Sequence, residues 1–298
     1  MISISPATFA TADLTSNVAI TETEWIAGTY DLGDQRYVGI NLYQVTADPN
    51  TTDEPTAGAA KTTPTWVLIG QINRWRMFNN VLHQPTEQTG GPITVEIEVA
   101  SIVNAIAVLK CSATEATVVI TDPNEGEVYR RVVSLVDNSM ISDWYAWFFN
   151  SIKRRTEFVL TDLPSYAGAT ISLTLDAGDE DTACGAFIVG NQSLLGSTLL
   201  EYDVRSRFFS RRERSVFGDF LNLIGRPTAR EASFDVLMNA DAVAGVLTLL
   251  ESRDVLPTVF IGDEAYEQSI VFGFPDEPEA QQITPLYSKM KLTVLGIT

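Results

Sequence analysis

Ile93-Thr94-Val95-Glu96-Ile97-Glu98-Val99 alternates apolar and polar side chains without a break. Successive side chains on a strand point to opposite faces, so this period of two describes a strand half buried on a core. The stretch before it, PTEQTGGP (85–92), is a Gly- and Pro-rich break, and the chain beyond it repeats the theme. Strand-like runs fall at 105–111, 117–121, 127–135, 157–160, 170–176 and 186–189, with the turn signals DPNEG (122–126) and DAGDED (176–181) among them. Short strands punctuated in this way predict an antiparallel β-sandwich over 80–195. WYAWFFNSIKR (144–154) fits helix and strand equally well, because a short aromatic run satisfies both periods.

On either side the composition changes. Residues 1–79 are dense in Thr and Pro and predict a small N-terminal β module. Within it ADPNTTDEPTAGAAKTTPT (47–65), polar and free of aromatics, reads as a long exposed loop. Residues 196–298 predict an α+β domain. Strand-like runs at 199–209, 216–224 and 232–237 lead to a helix capped by Asn239 or Asp241, striped by Val243, Leu247 and Leu250, and stopped by Pro257. TVFIG (258–262), QSIVFGF (268–274) and KMKLTVLGI (289–297) then read as three more strands, so one helix lies on a sheet. The chain as a whole is expected to be mainly β in three units, 1–79, 80–195 and 196–298.

Hydrophobic residues make up 45% of the 298 and charged residues 19%, enough for a packed core. The formal net charge of −18 argues against nucleic acid and against an anionic membrane, and favours a partner with basic patches. The opening MISISPATFATADLTSN has neither a basic start nor an apolar run, so no signal peptide is expected, and no run reaches the length of a membrane span.

Residues suited to catalysis are sparse. His83 is the only histidine, and Cys111 and Cys184 lie far apart with no CxxC or HxxxH spacing, so no metal site is expected. The two cysteines read as buried free thiols. No serine sits in G-x-S-x-G, and neither glycine-rich phosphate loop occurs, which leaves no expected nucleophile and no cofactor. Glu96 and Glu98 share one strand face about 7 Å apart, but it is the solvated face. Asp179-Glu180-Asp181 lacks the ordered spacing of a calcium loop and reads as an acidic turn.

Seven of the 20 Lys and Arg fall between Arg205 and Arg230. In RSRFFSRRERSVFGDF (205–220), Arg205, Arg207, Arg211, Arg212 and Arg214 interleave with Phe208, Phe209, Phe217 and Phe220. Three readings stand in order: a subunit interface, since Arg makes bidentate pairs with carboxylates; a solvated strand face; and nucleic-acid stacking.

Trp25-Ile-Ala-Gly28-Thr-Tyr30-Asp-Leu-Gly33-Asp34, then Tyr43, then Pro64-Thr-Trp66, resembles the opening of small chitin-binding-type carbohydrate modules. The aromatics Trp25, Tyr30, Tyr43 and Trp66 form either a mini-core or a flat platform for sugar rings. The continuation, Trp66-Val-Leu-Ile-Gly-Gln-Ile-Asn73-Arg74-Trp75-Arg-Met77-Phe78, is similar to a pattern of virion proteins of tailed bacteriophages, and the Arg-rich C-terminal part is similar to tail-tip or fibre-adaptor proteins. The resemblance implies a non-catalytic structural component of the virion, assembled in the host cytoplasm, whose partners are other tail proteins and copies of itself. It leaves as alternatives a carbohydrate-binding host-adhesion protein on a host surface glycan and, last, a carboxylate-dependent glycan-cleaving enzyme.

Overall fold

The structure, a computed structural model, describes every residue except 138–140, 142, 150–152 and 215–218, and at 146, 214 and 220–222 it describes the backbone alone. The described chain is mainly β, with curled antiparallel sheets and one 12-residue helical segment near the C-terminus.

The alternating stretch forms strand Ile93–Glu98, whose Ile93, Val95 and Ile97 are fully buried. It belongs to a five-stranded sheet in the order Gly126–Ser134, Glu115–Asp122, Thr170–Asp176, Ile93–Glu98, Leu14–Ser16. Register lines up the apolar positions in rows: Ile97 opposite Ile171 opposite Ile120, and Val95 opposite Leu173 opposite Val118. Cross-strand neighbours on one face are the unit of sheet stabilisation, and these rows form one layer of the sandwich core.

The facing layer belongs to an eleven-stranded sheet. Its main path runs Phe158–Leu160, Ala105–Ser112, Thr182–Leu194, Ile2–Pro6, Thr258–Ile261, Ile270–Gln282, Tyr287–Gly296, Thr228–Asn239, Ser197–Thr198. Ile106, Val108, Phe158, Phe187 and Val189 meet the five-stranded sheet, while Ala105, Ala107, Leu109, Ala186 and Ile188 fill a second cluster on the opposite face. Burial on both faces explains why 105–109 is a continuous apolar run rather than an alternating one. The second cluster also takes in Ile4, Val259, Ile261, Ile270 and Phe272, so the sheet curls around its own face. Glycine permits that curl at two close approaches. A Cβ on Gly190 would sit 1.8 Å from the Ser5 carbonyl oxygen, and one on Gly273 2.0 Å from that of Leu295.

The large sheet passes through all three compositional segments. Ile2 pairs with Leu194 on one side and Ile261 on the other. At the C-terminal end, helix Val243–Glu251 buries Val246 and Leu250 against Phe234, Val236, Met290 and Leu292. Its start differs from expectation. A 3-10 turn, Ala240–Ala242, leads into it, and neither start carries a side-chain cap.

Asn73–Phe78 is a 3-10 turn that ties the N-terminal segment to the large sheet. The buried Asn73 clamps Glu87, its Nδ2 donating to the Glu87 carbonyl at 2.8 Å and its Oδ1 accepting from the Glu87 N–H at 2.9 Å. Arg76 pairs with Glu22 at 2.9 Å, and Arg74 Nε donates to the Val18 carbonyl at 2.9 Å. Trp75 stacks on Phe9, and Phe78 leans on Phe187. The side chains that make this motif conspicuous are therefore engaged in holding the fold.

Candidate functional site

The four aromatics of the carbohydrate-module resemblance come together as a core. Trp66, Tyr30 and Tyr43 are 0%, 5% and 7% exposed, and Val45 packs with them while the half-buried Trp25 leans on the cluster. Tyr30 and Trp66 meet edge to face at 5.5 Å. A sugar-stacking platform needs an open ring face, and these three rings have none. The platform reading is corrected to the mini-core reading.

The 47–65 loop is also more ordered than its composition suggests. It contains helix Pro55–Ala59 and is pinned by Asp53, which accepts from Lys61 Nζ at 2.6 Å and Thr65 Oγ1 at 2.7 Å, while the Asp53 carbonyl accepts from the Trp66 indole N–H at 3.0 Å. Those two side-chain bonds hold the Asp53 carboxyl below its ordinary pKa.

The remaining sequence candidates occupy separate places. His83 lies exposed, its Nδ1 3.2 Å from the Thr298 carbonyl oxygen. Glu96 and Glu98 lie on the outer face of the five-stranded sheet, opposite Ser172 and Thr170. In the acidic turn, Arg154 pairs with Glu180 at 2.7 Å and Asp181 accepts from the Gly90 N–H. Cys111 and Cys184 are free, buried and directly opposite each other across two strands. Among the described residues no group of His, Cys, Asp and Glu could hold a metal ion.

The Arg-rich stretch forms an arm. Strand Asp203–Phe208 pairs with the outer part of Thr228–Asn239, from Asp203 opposite Ser233 to Phe208 opposite Thr228. Ser210 and Arg226 then bridge a break, the Arg226 N–H donating to Ser210 Oγ at 3.1 Å. Beyond it Arg211–Arg214 pairs with Phe220–Ile224 as a two-stranded ribbon. From the Phe208 pair to the Arg214 pair the ribbon adds six residues, about 20 Å of strand. All six side chains of Asp203–Phe208 are exposed, on both faces. Phe208 and Leu223 are each 66% exposed, and the Arg207 guanidinium lies over the Phe209 ring at 5.6 Å. Arg211 pairs with Glu213 on its own strand. Arg205, Arg207, Arg211 and Arg212 are thus all on this arm; Arg214 closes the ribbon with its side chain outside the described residues, as is much of the 216–224 run.

Two features were given no role in the sequence reading. The first is helix Trp144–Phe149, with Trp144, Tyr145, Trp147, Phe148 and Phe149 all 59–81% exposed. It lies within the connection between Val136–Asp137 and its partner Lys153–Arg154. Five aromatics in six residues were visible, but whether a fold covers them is a tertiary matter. The second is a crevice of about 180 Å³ inside the curl of the large sheet, lined by Lys110, Glu157, Ser206, Arg230, Phe272 and Ile297 among others. There Arg230 Nη1 donates to Glu157 Oε2 at 2.8 Å and to the carbonyls of Glu267 and Ile270. Burial raises the Glu157 pKa, and the Arg230 guanidinium opposes that rise. Burial likewise lowers the Lys110 ammonium.

No known family, no curated protein and no solved structure matches this chain.

Proposed function

We propose that this chain is a non-catalytic structural component of a tailed-phage virion, at the tail tip, baseplate or fibre attachment region, where it holds neighbouring subunits. The arm over 203–226 carries the reading. A two-stranded ribbon is marginally stable alone, so an arm that ends in one and keeps Phe208, Phe209, Leu223 and Ile224 exposed gains its stability from a neighbour. Arginine suits the purpose, because its planar fork pairs bidentately with carboxylates. The chain supplies such surfaces itself, having 38 acidic residues against 20 basic ones. The similarity of the Asn73–Phe78 motif to tailed-phage virion proteins supports the same reading from the other end of the chain.

Arg211→Glu with Arg212→Glu tests it. Both positions are exposed on the arm, so the isolated protein keeps its melting temperature while incorporation into particles falls. Unchanged incorporation would remove the arm as the interface.

A further inference from the structure

We infer that the crevice inside the curl of the large sheet is a binding site for a phosphate group, held by Lys110 and Arg230. This site stands apart from the assembly reading above and does not depend on it.

The backbone places the first cation. Strand Ala105–Ser112 alternates regularly as far as Leu109, with Ile106 and Val108 on the sandwich core and Ala105, Ala107 and Leu109 facing the curl. By that period Lys110 belongs on the sandwich side, among buried apolar groups. It does not go there. Its φ of 49° lies in the left-handed region and resets the alternation, so Lys110 joins Leu109 in lining the crevice and Cys111 takes the sandwich face. Gly185 makes room for the kink, since a Cβ there would lie 2.8 Å from the Lys110 Cβ. An apolar residue at 110 would continue the strand without that turn. Strained backbone of this kind collects at sites that bind.

The opposite wall supplies further donors. Ser206 stands directly across from Arg230, and Thr228 lies two residues before it, so the three side chains share one face of the sheet and line the same crevice. Arg230 gives Nη1 to Glu157 and to two carbonyls, while its Nε and Nη2 have no acceptor among the described residues. Nor do the Lys110 ammonium and the hydroxyls of Ser206 and Thr228. Leu109, Ile270, Phe272 and Ile297 complete the lining, and beside apolar groups a charge-assisted hydrogen bond strengthens.

These donors suit a phosphate group. A planar carboxylate offers two oxygens, whereas a phosphate spreads three or four over a tetrahedron and can meet cations and hydroxyls on two walls. The volume of about 180 Å³ lies below the ~300 Å³ at which clefts begin to take larger ligands. Among the charged side chains lining the crevice, Lys110 and Arg230 outnumber Glu157. Glu157 is the carboxylate that acts on Lys110, and its Oε2 is already held by Arg230. Glu267 lies 3.7 Å from Arg155, and Asp137 acts on Glu267 rather than on Lys110. The −18 of the whole chain repels anions at long range, but physiological salt screens that beyond about 8 Å.

Isothermal titration calorimetry of the full chain with inorganic phosphate, in chloride buffer at constant ionic strength, tests the site. The wild type is expected to bind phosphate saturably, with a Kd in the millimolar range or tighter. Lys110→Gln is expected to weaken binding by about tenfold or more, the worth of one hydrogen bond to a charged group. Lys110→Gly is expected to lose binding equally while its melting temperature stays close to that of the wild type, because glycine adopts this φ without strain. Lys291→Gln, at an exposed strand position outside the crevice, is expected to bind as the wild type does. Glycerol 3-phosphate separates the sources: equal affinity assigns the site to a phosphate carried on a larger molecule, and weaker binding assigns it to the free anion. No saturable binding by the wild type, binding that survives in both Lys110 variants, an equal loss in Lys291→Gln, or acetate bound as tightly as phosphate would each overturn the inference.

Discussion

Glu157 Oε2 accepts a 2.8 Å hydrogen bond from Arg230 Nη1 and so joins the residue before strand Phe158–Leu160, at one end of the eleven-stranded sheet, to strand Thr228–Asn239, near its other end. The pair braces the curl. The carbonyl oxygens of Glu267 and Ile270 lie within hydrogen-bond distance of the same Nη1, so its two N–H groups are shared among three acceptors.

This pair sets a pH dependence. Burial lifts the folded-state pKa of Glu157 above its ordinary value of 4.5, with Arg230 pulling the other way. A raised folded pKa contributes stability that is full below the unfolded value and is lost as pH rises through the folded one. Glu157→Gln removes that titration and relieves part of the rise that burial and the Glu157 charge together impose on Glu267. The melting temperature of the wild type minus that of the variant is therefore expected to fall as pH rises from the ordinary carboxyl value of 4.5. A difference that grows with pH would show that the ion pair, not burial, governs this carboxyl.

Asn73→Ala removes both part-buried hydrogen bonds to the Glu87 backbone, each worth about 0.5–1.5 kcal/mol net. Urea unfolding is expected to show a loss of about 1–3 kcal/mol, and a loss under about 0.5 kcal/mol would mean that water replaces the clamp.

Trp66→Ala empties the centre of the N-terminal module and is expected to cost ~3–5 kcal/mol, the range for a buried tryptophan. Gly58→Ala should also destabilise, since its new Cβ would lie 2.5 Å from Trp66 Cδ1. Unaltered unfolding midpoints for both would mean that these rings do not pack as described.

Much of this was legible before any coordinates. The period of two at Ile93–Glu98, the apolar run at 105–109 and the single C-terminal helix all follow from local pattern, and local pattern sets which faces are buried. What pairs across long separations was not. Nothing in Ile2–Pro6 announces that it sits between Thr182–Leu194 and Thr258–Ile261, because register is chosen by partners hundreds of residues away. The same limit hid the Glu157–Arg230 brace. It also left the aromatics undecided: Trp66 and Trp144 each open a hydrophobic run, and one is fully buried while the other is 81% exposed. Only the covering layer distinguishes them.

The cysteines give a chemical prediction. Burial pushes the Cys111 thiol up to about 12 and the Cys184 thiol well above its ordinary value, so neither supplies thiolate near neutrality. Native protein at pH 8 is expected to resist iodoacetamide and to take two equivalents once unfolded. Rapid native alkylation would place a thiol at the surface.

Electron cryo-microscopy of particles from the source, searched for this chain, tests the central claim most directly. The chain is expected in symmetric copies at the tail, with Arg205, Arg207, Arg211 and Arg212 against an acidic surface of a neighbour. Particles that lack the chain, or that hold it with the 203–226 arm free in solvent, would contradict the assembly role.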